Sequence, residues 1–201
     1  MSKKTIAVDI DDVLSVNVPA FINFSNKKWG TNLTIEDFHE DWATMWKVDH
    51  DEVVGRIKHM DEVRLFRQYE HFGDAVPVLK KLAQRYKLVI ATSRRKTLVT
   101  DTNEWINQYF PDIFAEVHYA GIWDDATKRI GAHLKTKADL ASQIGADYLV
   151  DDQPKHCIAA AKAGIQTVLF GDYPWNRHVP ASQGIVRAHN WKEVESYFDG
   201  R

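Results

Sequence analysis

The sequence has too little cysteine for the structures that depend on it. Cys157 is the single cysteine among 201 residues, which excludes an internal disulfide and a metal site built from four thiolates. The formal net charge is only -2, so the composition gives no overall basic surface for a nucleic-acid polymer. Nine histidines are present, but none of them forms a pair whose spacing is typical of a metal site.

The sequence also lacks a long hydrophobic run. The first apolar segment is short and ends at Asp9, which fits neither a signal peptide nor a membrane span. There is no glycine-rich loop ending in Lys-Ser/Thr and no dinucleotide-binding fingerprint, so two common kinds of nucleotide site are excluded. We therefore expect a cytoplasmic protein that makes no contact with a membrane.

Five short segments rich in apolar or β-branched residues predict strands, and helical patterns separate most of them. The segments are residues 5–8, 87–91, 117–120, 148–150 and 166–170. Such alternation is typical of parallel strands joined by helical crossovers, with helices covering both faces of the sheet. The sequence therefore predicts an α/β fold with a Rossmann-like parallel sheet flanked by helices.

The stretch between the first two predicted strands breaks this alternation. It contains helical patterns at residues 19–29, 35–46 and 51–62 and no strong strand signal. We predict that residues 16–72 form a small helical cap, inserted after the first strand of a core made of residues 1–15 and 73–201. In the cap, Phe21, Trp42 and Trp46 offer a face on which a nucleic base would stack. The alternative is that these aromatic residues are the cap's own hydrophobic core.

Three carboxylates follow the first predicted strand, at Asp9, Asp11 and Asp12. In open α/β sheets, ligands bind at the carboxyl ends of the strands. Carboxylates that crowd together there repel one another and need a cation or a shared proton. Their oxygen atoms are ligands that Mg²⁺ prefers. The alternative is that these acids only cap the next helix and face water.

Polar side chains also follow the second predicted strand. Thr92, Ser93 and Arg94 stand at its end, where a hydroxyl and nearby backbone N–H groups can donate to a phosphate oxygen. A basic residue at a helix start opposes the helix dipole, so Arg94 indicates an anionic ligand. The alternative for this segment is a simple turn.

Two further motifs lie later in the chain. Lys135 and Lys137 precede a short helical pattern, and the alternative to a catalytic role for either lysine is a solvated surface position. Asp151 and Asp152 follow the predicted strand at 148–150. At a second carboxyl edge of the sheet, this acidic pair would complete a metal site with the first group of acids.

The order of these motifs resembles the haloacid-dehalogenase-like superfamily. Its members carry Asp-x-Asp after the first strand, Ser or Thr after the second, then a lysine, and an acidic pair after the fourth. The matching residues are Asp9, Asp11, Thr92, Lys137 (with Lys135 as second choice), Asp151 and Asp152. Asp11 is typical of the phosphate-transferring members and argues against a dehalogenase. Asp12 departs from the pattern, because the superfamily usually has glycine there.

Within that superfamily, the chain resembles the 5′(3′)-deoxyribonucleotidases and their bacterial relatives. The helical cap and residues 92–94, 151–154 and 170–177 carry this resemblance. It implies a phosphatase for small phosphomonoesters, with a sugar phosphate or another small phosphomonoester as the alternative substrate. A non-catalytic binding domain of the same fold is the alternative from a different class. The sequence leaves the oligomeric state open.

The resemblance also implies a mechanism and a cofactor, Mg²⁺. Asp9 would attack phosphorus and form an aspartyl-phosphate, and Asp11 would act as the acid and then as the base. The carboxylates of Asp9 and Asp151 and the main-chain carbonyl of Asp11 would hold the metal, and Asp152 would orient its waters. Phosphate oxygens would be held by Thr92 and Lys137, and Ser93 and Arg94 would also contact the substrate.

Overall fold

A computed structural model describes residues 3–120 and 136–201 of the chain. The strands are β1 (Thr5–Val8), β2 (Lys87–Thr92), β3 (Glu116–Tyr119), β4 (Tyr148–Asp151), β5 (Gln166–Phe170) and β6 (Ile185–Ala188). They form one sheet in the order β3-β2-β1-β4-β5-β6, and every neighbouring pair is parallel. The central strand β1 therefore lies between β2 and β4, which brings the predicted motifs to adjacent strands.

Helices cover both faces of this sheet. They are α1 (Asn17–Trp29), α2 (Trp42–Trp46), α3 (His50–Glu62), α4 (Ala75–Arg85), α5 (Val99–Tyr109), α6 (Lys137–Ile144), α7 (Pro154–Lys162) and α8 (Trp191–Asp199). Side chains alternate along β1, so Ile6 and Val8 pack with residues of α4, α5 and α8. Ala7 faces the opposite side and packs with residues of α6 and α7. The predicted parallel sheet with two covered faces is confirmed.

The first helices after β1 have a hydrophobic cluster of their own. Val18 and Phe21 of α1, Trp46 of α2 and Met60 of α3 are buried together. This cluster is distinct from those on the two sheet faces, as expected if the segment 16–72 is a cap. The boundaries of that cap as a separate domain stay a prediction. Among the described residues, no helix is long and apolar enough to cross a membrane.

Two local predictions differ from the structure. The single helix predicted at residues 35–46 is wrong, because a short 3₁₀ turn at Ile35–Asp37 gives way to extended backbone at Phe38. Asp41 then caps the separate helix α2 by accepting the N–H of Ala43. Strand β6 was not predicted at all. Strand β6 is only four residues long and pairs with β5 on one side. Its sequence signal is therefore weak.

Candidate active site

The carboxyl ends of three neighbouring strands bring the predicted acids together. Val8 is in register with Ile90 of β2 and with Val150 of β4, so the three strands end at the same edge of the sheet, with β2 running two residues further. The N–H of Asp9 donates to the carbonyl of Val150 at 2.9 Å, which extends the pairing of β1 and β4 by one residue. Asp9 therefore stands beside Asp151, the last residue of β4.

Asp9, Asp151 and Asp152 form a buried acid cluster. One carboxylate oxygen from each lies within 4.8 Å of those of the other two, and the residues are only 5%, 0% and 2% exposed. Burial raises the pKa of Asp9 to about 7. Burial, reinforced by the neighbouring acids, also raises the pKa of Asp152 well above its ordinary value. Three buried carboxylates this close together need a nearby positive charge to compensate their repulsion and their lost hydration.

Lys137 supplies one positive charge to the acid cluster. Its Nζ lies 2.7 Å from Asp9 Oδ2 and 2.7 Å from Asp151 Oδ2, and its side chain is 1% exposed. Burial alone would lower the pKa of Lys137, but the two carboxylates outweigh burial and raise it. Lys137 is the first residue of α6, directly after the N-cap Thr136. The second choice, Lys135, lies outside the described residues.

The Asp11 carboxylate belongs to an ion pair and not to the acid cluster. Arg94 donates from Nη2 to Asp11 Oδ1 at 2.6 Å and from Nε to Asp11 Oδ2 at 3.0 Å. The Arg94 side chain is 2% exposed, and its guanidinium lies 5.6 Å from the ring centre of Phe66 and 5.9 Å from that of Trp105. In this structure, the anionic group that contacts Arg94 is the Asp11 carboxylate. A contact between Arg94 and a substrate stays a prediction.

Two hydroxyls stand at the carboxyl end of β2. Thr92 is fully buried, and its Oγ1 accepts the backbone N–H of Arg94 at 3.1 Å. The Ser93 Oγ is buried and has no hydrogen-bond partner within the part of the chain that the structure describes. Buried hydroxyls are normally paired, so an unpaired one at this edge fits a ligand with oxygen acceptors, such as phosphate.

Asp12 occupies the position where the superfamily usually has glycine. Its φ of 58° is left-handed, a conformation that aspartate adopts more readily than most residues. The Asp12 carboxylate accepts the N–H of Val18 at 3.0 Å and the side-chain amide of Asn17 at 3.3 Å. Burial raises the pKa of Asp12 to about 8. Asp12 therefore caps an N–H in the first turn of α1, as the helix-capping alternative expected, but it is buried and does not face water.

The loop after β5 holds Asp152 from two directions. Trp175 donates its indole N–H to Asp152 Oδ2 at 2.7 Å, and Asn176 donates its amide to the Asp152 carbonyl at 2.9 Å. The Tyr173 hydroxyl donates to the carbonyl of Asp12 at 2.7 Å. The sequence analysis did not predict a role for Asn176 by itself. The feature that could have indicated one is its position shortly after β5, the strand next to β4.

The aromatic residues predicted to bind a base lie against one another. The Phe21 ring centre is 5.1 Å from that of Trp42 and 5.4 Å from that of Trp46. Phe21 and Trp46 are buried, and the Trp46 indole donates to Ser25 Oγ at 3.3 Å. Both therefore lie in the hydrophobic cluster of α1–α3. Trp42 is partly exposed, and base stacking on any of the three stays a prediction.

The fold is that of the haloacid-dehalogenase-like proteins. The chain is similar to a haloacid-dehalogenase-like hydrolase of Streptococcus pneumoniae, with a TM-score of 0.70 and 14% identity over 98% of each chain. It is also similar to a structure from Clostridium acetobutylicum titled "predicted phosphatase", with a TM-score of 0.69 and 12% identity over 100% of each chain. At these identities, the likeness concerns the fold.

The sequence also identifies the family. Residues 3–198 match the family described as "5' nucleotidase, deoxy (Pyrimidine), cytosolic type C protein", and the chain belongs to it. A "Putative 5'(3')-deoxyribonucleotidase" of Staphylococcus epidermidis is 26% identical over 99% of this chain and 98% of its own. A protein of the same name from Staphylococcus aureus is 25% identical over 98% and 97%. The predicted resemblance to this superfamily and branch is confirmed.

Proposed function

We propose that the protein is a Mg²⁺-dependent phosphatase that forms a covalent aspartyl-phosphate on Asp9. The observation that supports this most directly is the buried acid cluster of Asp9, Asp151 and Asp152 in contact with Lys137. In this proposal, Asp9 is the nucleophilic carboxylate and Lys137 the phosphate-binding ammonium, at the sheet edge where α/β folds bind ligands. Membership of a nucleotidase family supports the same chemistry.

The acid cluster fits Mg²⁺ in its donors and its charge. Its donors are carboxylate oxygens alone, which suits a hard divalent ion. Three carboxylates against one ammonium also leave negative charge that a divalent cation would balance. Asp9 and Asp151 would hold the ion with their carboxylates and Asp11 with its main-chain carbonyl, while Asp152 would orient its waters. When bound, the ion neutralises charge, so that an anionic carboxylate can approach an anionic phosphate.

Asp9 and Asp11 divide the chemistry between them. Asp9 forms a bond to phosphorus as the ester P–O bond breaks, and Asp11, which must be protonated and out of its ion pair with Arg94 for this step, gives its proton to the departing alkoxide. Water then attacks the phosphoryl group, Asp11 takes up the water's proton, and the Asp9 carboxylate is released with inorganic phosphate. Arg94 fixes the direction of the Asp11 carboxylate through two hydrogen bonds.

Three further side chains would hold the phosphoryl oxygens. Lys137 already lies 2.7 Å from the proposed nucleophile Asp9, so its ammonium faces the place where charge changes during transfer. The hydroxyls of Thr92 and Ser93 stand at the end of β2, and that of Ser93 is buried and unpaired in the described structure. Positioning and electrostatics of this kind supply most of the rate in phosphoryl transfer.

The proposed substrate is a 5′- or 3′-deoxyribonucleotide, a small molecule and not a nucleic-acid polymer. The family description and the names of the staphylococcal relatives support this choice. Residues 16–72 would act as the cap over the substrate, with Phe21, Trp42 and Trp46 near its base. We further propose that the protein works in the cytoplasm without a membrane partner.

A hydrolysis screen tests the proposed function. Nucleoside 5′- and 3′-monophosphates, deoxynucleotides and sugar phosphates would be assayed for phosphate release with and without Mg²⁺, with Asp9→Asn as the control. We expect Mg²⁺-dependent hydrolysis that is fastest with deoxynucleotides and absent from the control. Faster hydrolysis of sugar phosphates would favour the alternative substrate class, and no hydrolysis of any compound would favour a binding domain.

A further inference from the structure

We propose that Trp175 is a positioning residue that ties the orientation of Asp152 to the contact between the segment 16–72 and the rest of the protein. This inference rests on the proposed function, because it concerns how the metal-binding acids are held in place. The hydrogen bond and ring contacts of Trp175 among the described residues are with Asp152, Phe38 and Tyr173, and none is with the proposed nucleophile or a proposed phosphate-binding group. Its effect would pass through Asp152.

The first link runs from Trp175 to the acid cluster. The indole N–H donates to Asp152 Oδ2 at 2.7 Å, and the side-chain amide of Gln153 donates to the same oxygen at 3.1 Å. Two donors on one carboxylate oxygen fix the rotation of the group, which aims Oδ1 away from them. Acids that orient a metal's waters depend on such outer partners.

The second link fastens the Trp175 loop to the sheet. Asn176 is fully buried, and its amide donates to the carbonyls of Asp152 and Phe170 at 2.9 and 2.8 Å. Tyr173 stacks on Trp175, with ring centres 4.7 Å apart and planes inclined by 10°. At Gly171, whose φ is 82°, a Cβ atom would lie 2.1 Å from the Tyr173 ring. The loop is therefore built to hold the indole in one place.

The third link runs from Trp175 to the segment 16–72. The ring centre of Phe38 lies 5.1 Å from that of Trp175. Ion pairs flank this contact, since Arg177 binds Glu36 at 2.9 Å and Lys155 binds Glu40. Phe38 thus contacts the same side chain that donates to Asp152, so movement of the segment 16–72 would change the position of that donor.

Trp175→Phe isolates the indole N–H, because the phenyl ring still stacks on Tyr173 and still meets Phe38. We expect this variant to bind divalent cations about 10-fold more weakly, the size typical of a lost outer-shell partner. Free Mn²⁺ would be followed by electron paramagnetic resonance during titration of the protein, and Mg²⁺ by competition with Mn²⁺. Trp29→Phe is the control, because it makes the same indole-to-phenyl change at a residue that packs against Phe24 and Trp46 within the segment 16–72. None of the contacts described for Trp29 reaches the acid cluster.

Kinetics separate positioning from simple structural damage. We expect Trp175→Phe to need about 10-fold more Mg²⁺ for half-maximal hydrolysis, to regain activity at saturating Mg²⁺, and to keep its KM for the phosphomonoester. A folding defect would lower activity at every Mg²⁺ concentration. Affinity for Mn²⁺ within twofold of wild type would overturn the proposal.

A double-mutant cycle tests the link to the segment 16–72. Phe38→Leu should weaken Mn²⁺ binding in the same direction, and Phe38→Leu combined with Trp175→Phe should bind no more weakly than Trp175→Phe alone. Strictly additive losses would overturn the link.

If Trp175→Phe weakens Mn²⁺ binding but the wild-type protein hydrolyses no phosphomonoester, the proposed function fails and the positioning role stands. If the wild-type protein is an active phosphatase and Trp175→Phe binds Mn²⁺ normally, only the positioning role fails.

Discussion

Replacing Lys137 with methionine would leave the acid cluster without the ammonium that contacts two of its members. Methionine keeps most of the volume of the lysine stem but carries no charge. The two lost contacts are both 2.7 Å long, and both carboxylate partners, Asp9 and Asp151, are buried. Removing one partner from a buried, hydrogen-bonded ion pair leaves an uncompensated charge in a dry environment.

The expected cost follows from that burial. Breaking a buried pair from one side lowers the free energy of unfolding by about 3–5 kcal/mol. For a chain of this length, 1 kcal/mol corresponds to about 2–4 °C in Tm, so we expect Lys137→Met to lower Tm by about 6–20 °C. Added Mg²⁺ should restore part of the loss, because a bound divalent cation would compensate the same carboxylates.

Thermal unfolding followed by circular dichroism, with and without Mg²⁺, measures both effects. Lys81→Met is the matched control, because Lys81 also contacts two carboxylates, at 2.7 and 2.8 Å, but its side chain is half exposed. Exposed ion pairs contribute little, so this control should unfold close to wild type. Equal Tm losses for the two variants, or no loss for Lys137→Met, would refute the reasoning from burial.

Three further predictions concern single residues. Asp9→Asn should keep its far-ultraviolet circular dichroism and lose at least about 10³-fold in kcat; near-normal turnover would remove Asp9 as the nucleophile. Asp12→Ala should lower the free energy of unfolding, measured in urea, by about 2–3 kcal/mol, because alanine cannot cap α1 and is strained at a left-handed φ. Asp12→Gly should lower it by about 1 kcal/mol or less, because glycine adopts that φ freely. Equal losses for the two variants would contradict this account of Asp12. Arg94→Lys should lower kcat about 10²-fold, because an ammonium cannot form the bidentate hydrogen bonds that orient Asp11. Unchanged kcat in steady-state assays would show that Asp11 does not depend on Arg94 for its orientation.

The parts of the fold that depend on local pattern were predictable. The five predicted strands agree with the structure to within a residue at each end. Four of them contain apolar runs typical of buried parallel strands, whereas the edge strand β3 has no buried residue. Strand β6 escaped notice because its four residues include Arg187, whose guanidinium donates to the carbonyls of Gly171 and Asn176. That role depends on the loop after β5 and leaves no periodic signal in the sequence.

The candidate site was predictable in its membership and less so in its contacts. Strand ends in a parallel sheet share one edge, so Asp9 and Asp151 could be brought together from sequence alone. The pairing of Arg94 with Asp11 could not, because it depends on side-chain directions across two strands. Neither could the contact of Trp175 with Asp152, which depends on the path of a loop.

Trapping the covalent intermediate tests the central claim most directly. The protein would be mixed with a hydrolysed phosphomonoester and Mg²⁺, quenched within one turnover and treated with borohydride, which reduces an acyl phosphate on aspartate to homoserine. Peptide mass spectrometry would then locate the modified residue. We expect homoserine at position 9, and none when substrate is omitted. An active enzyme that yields homoserine at another aspartate, or at none, would contradict the assignment of Asp9.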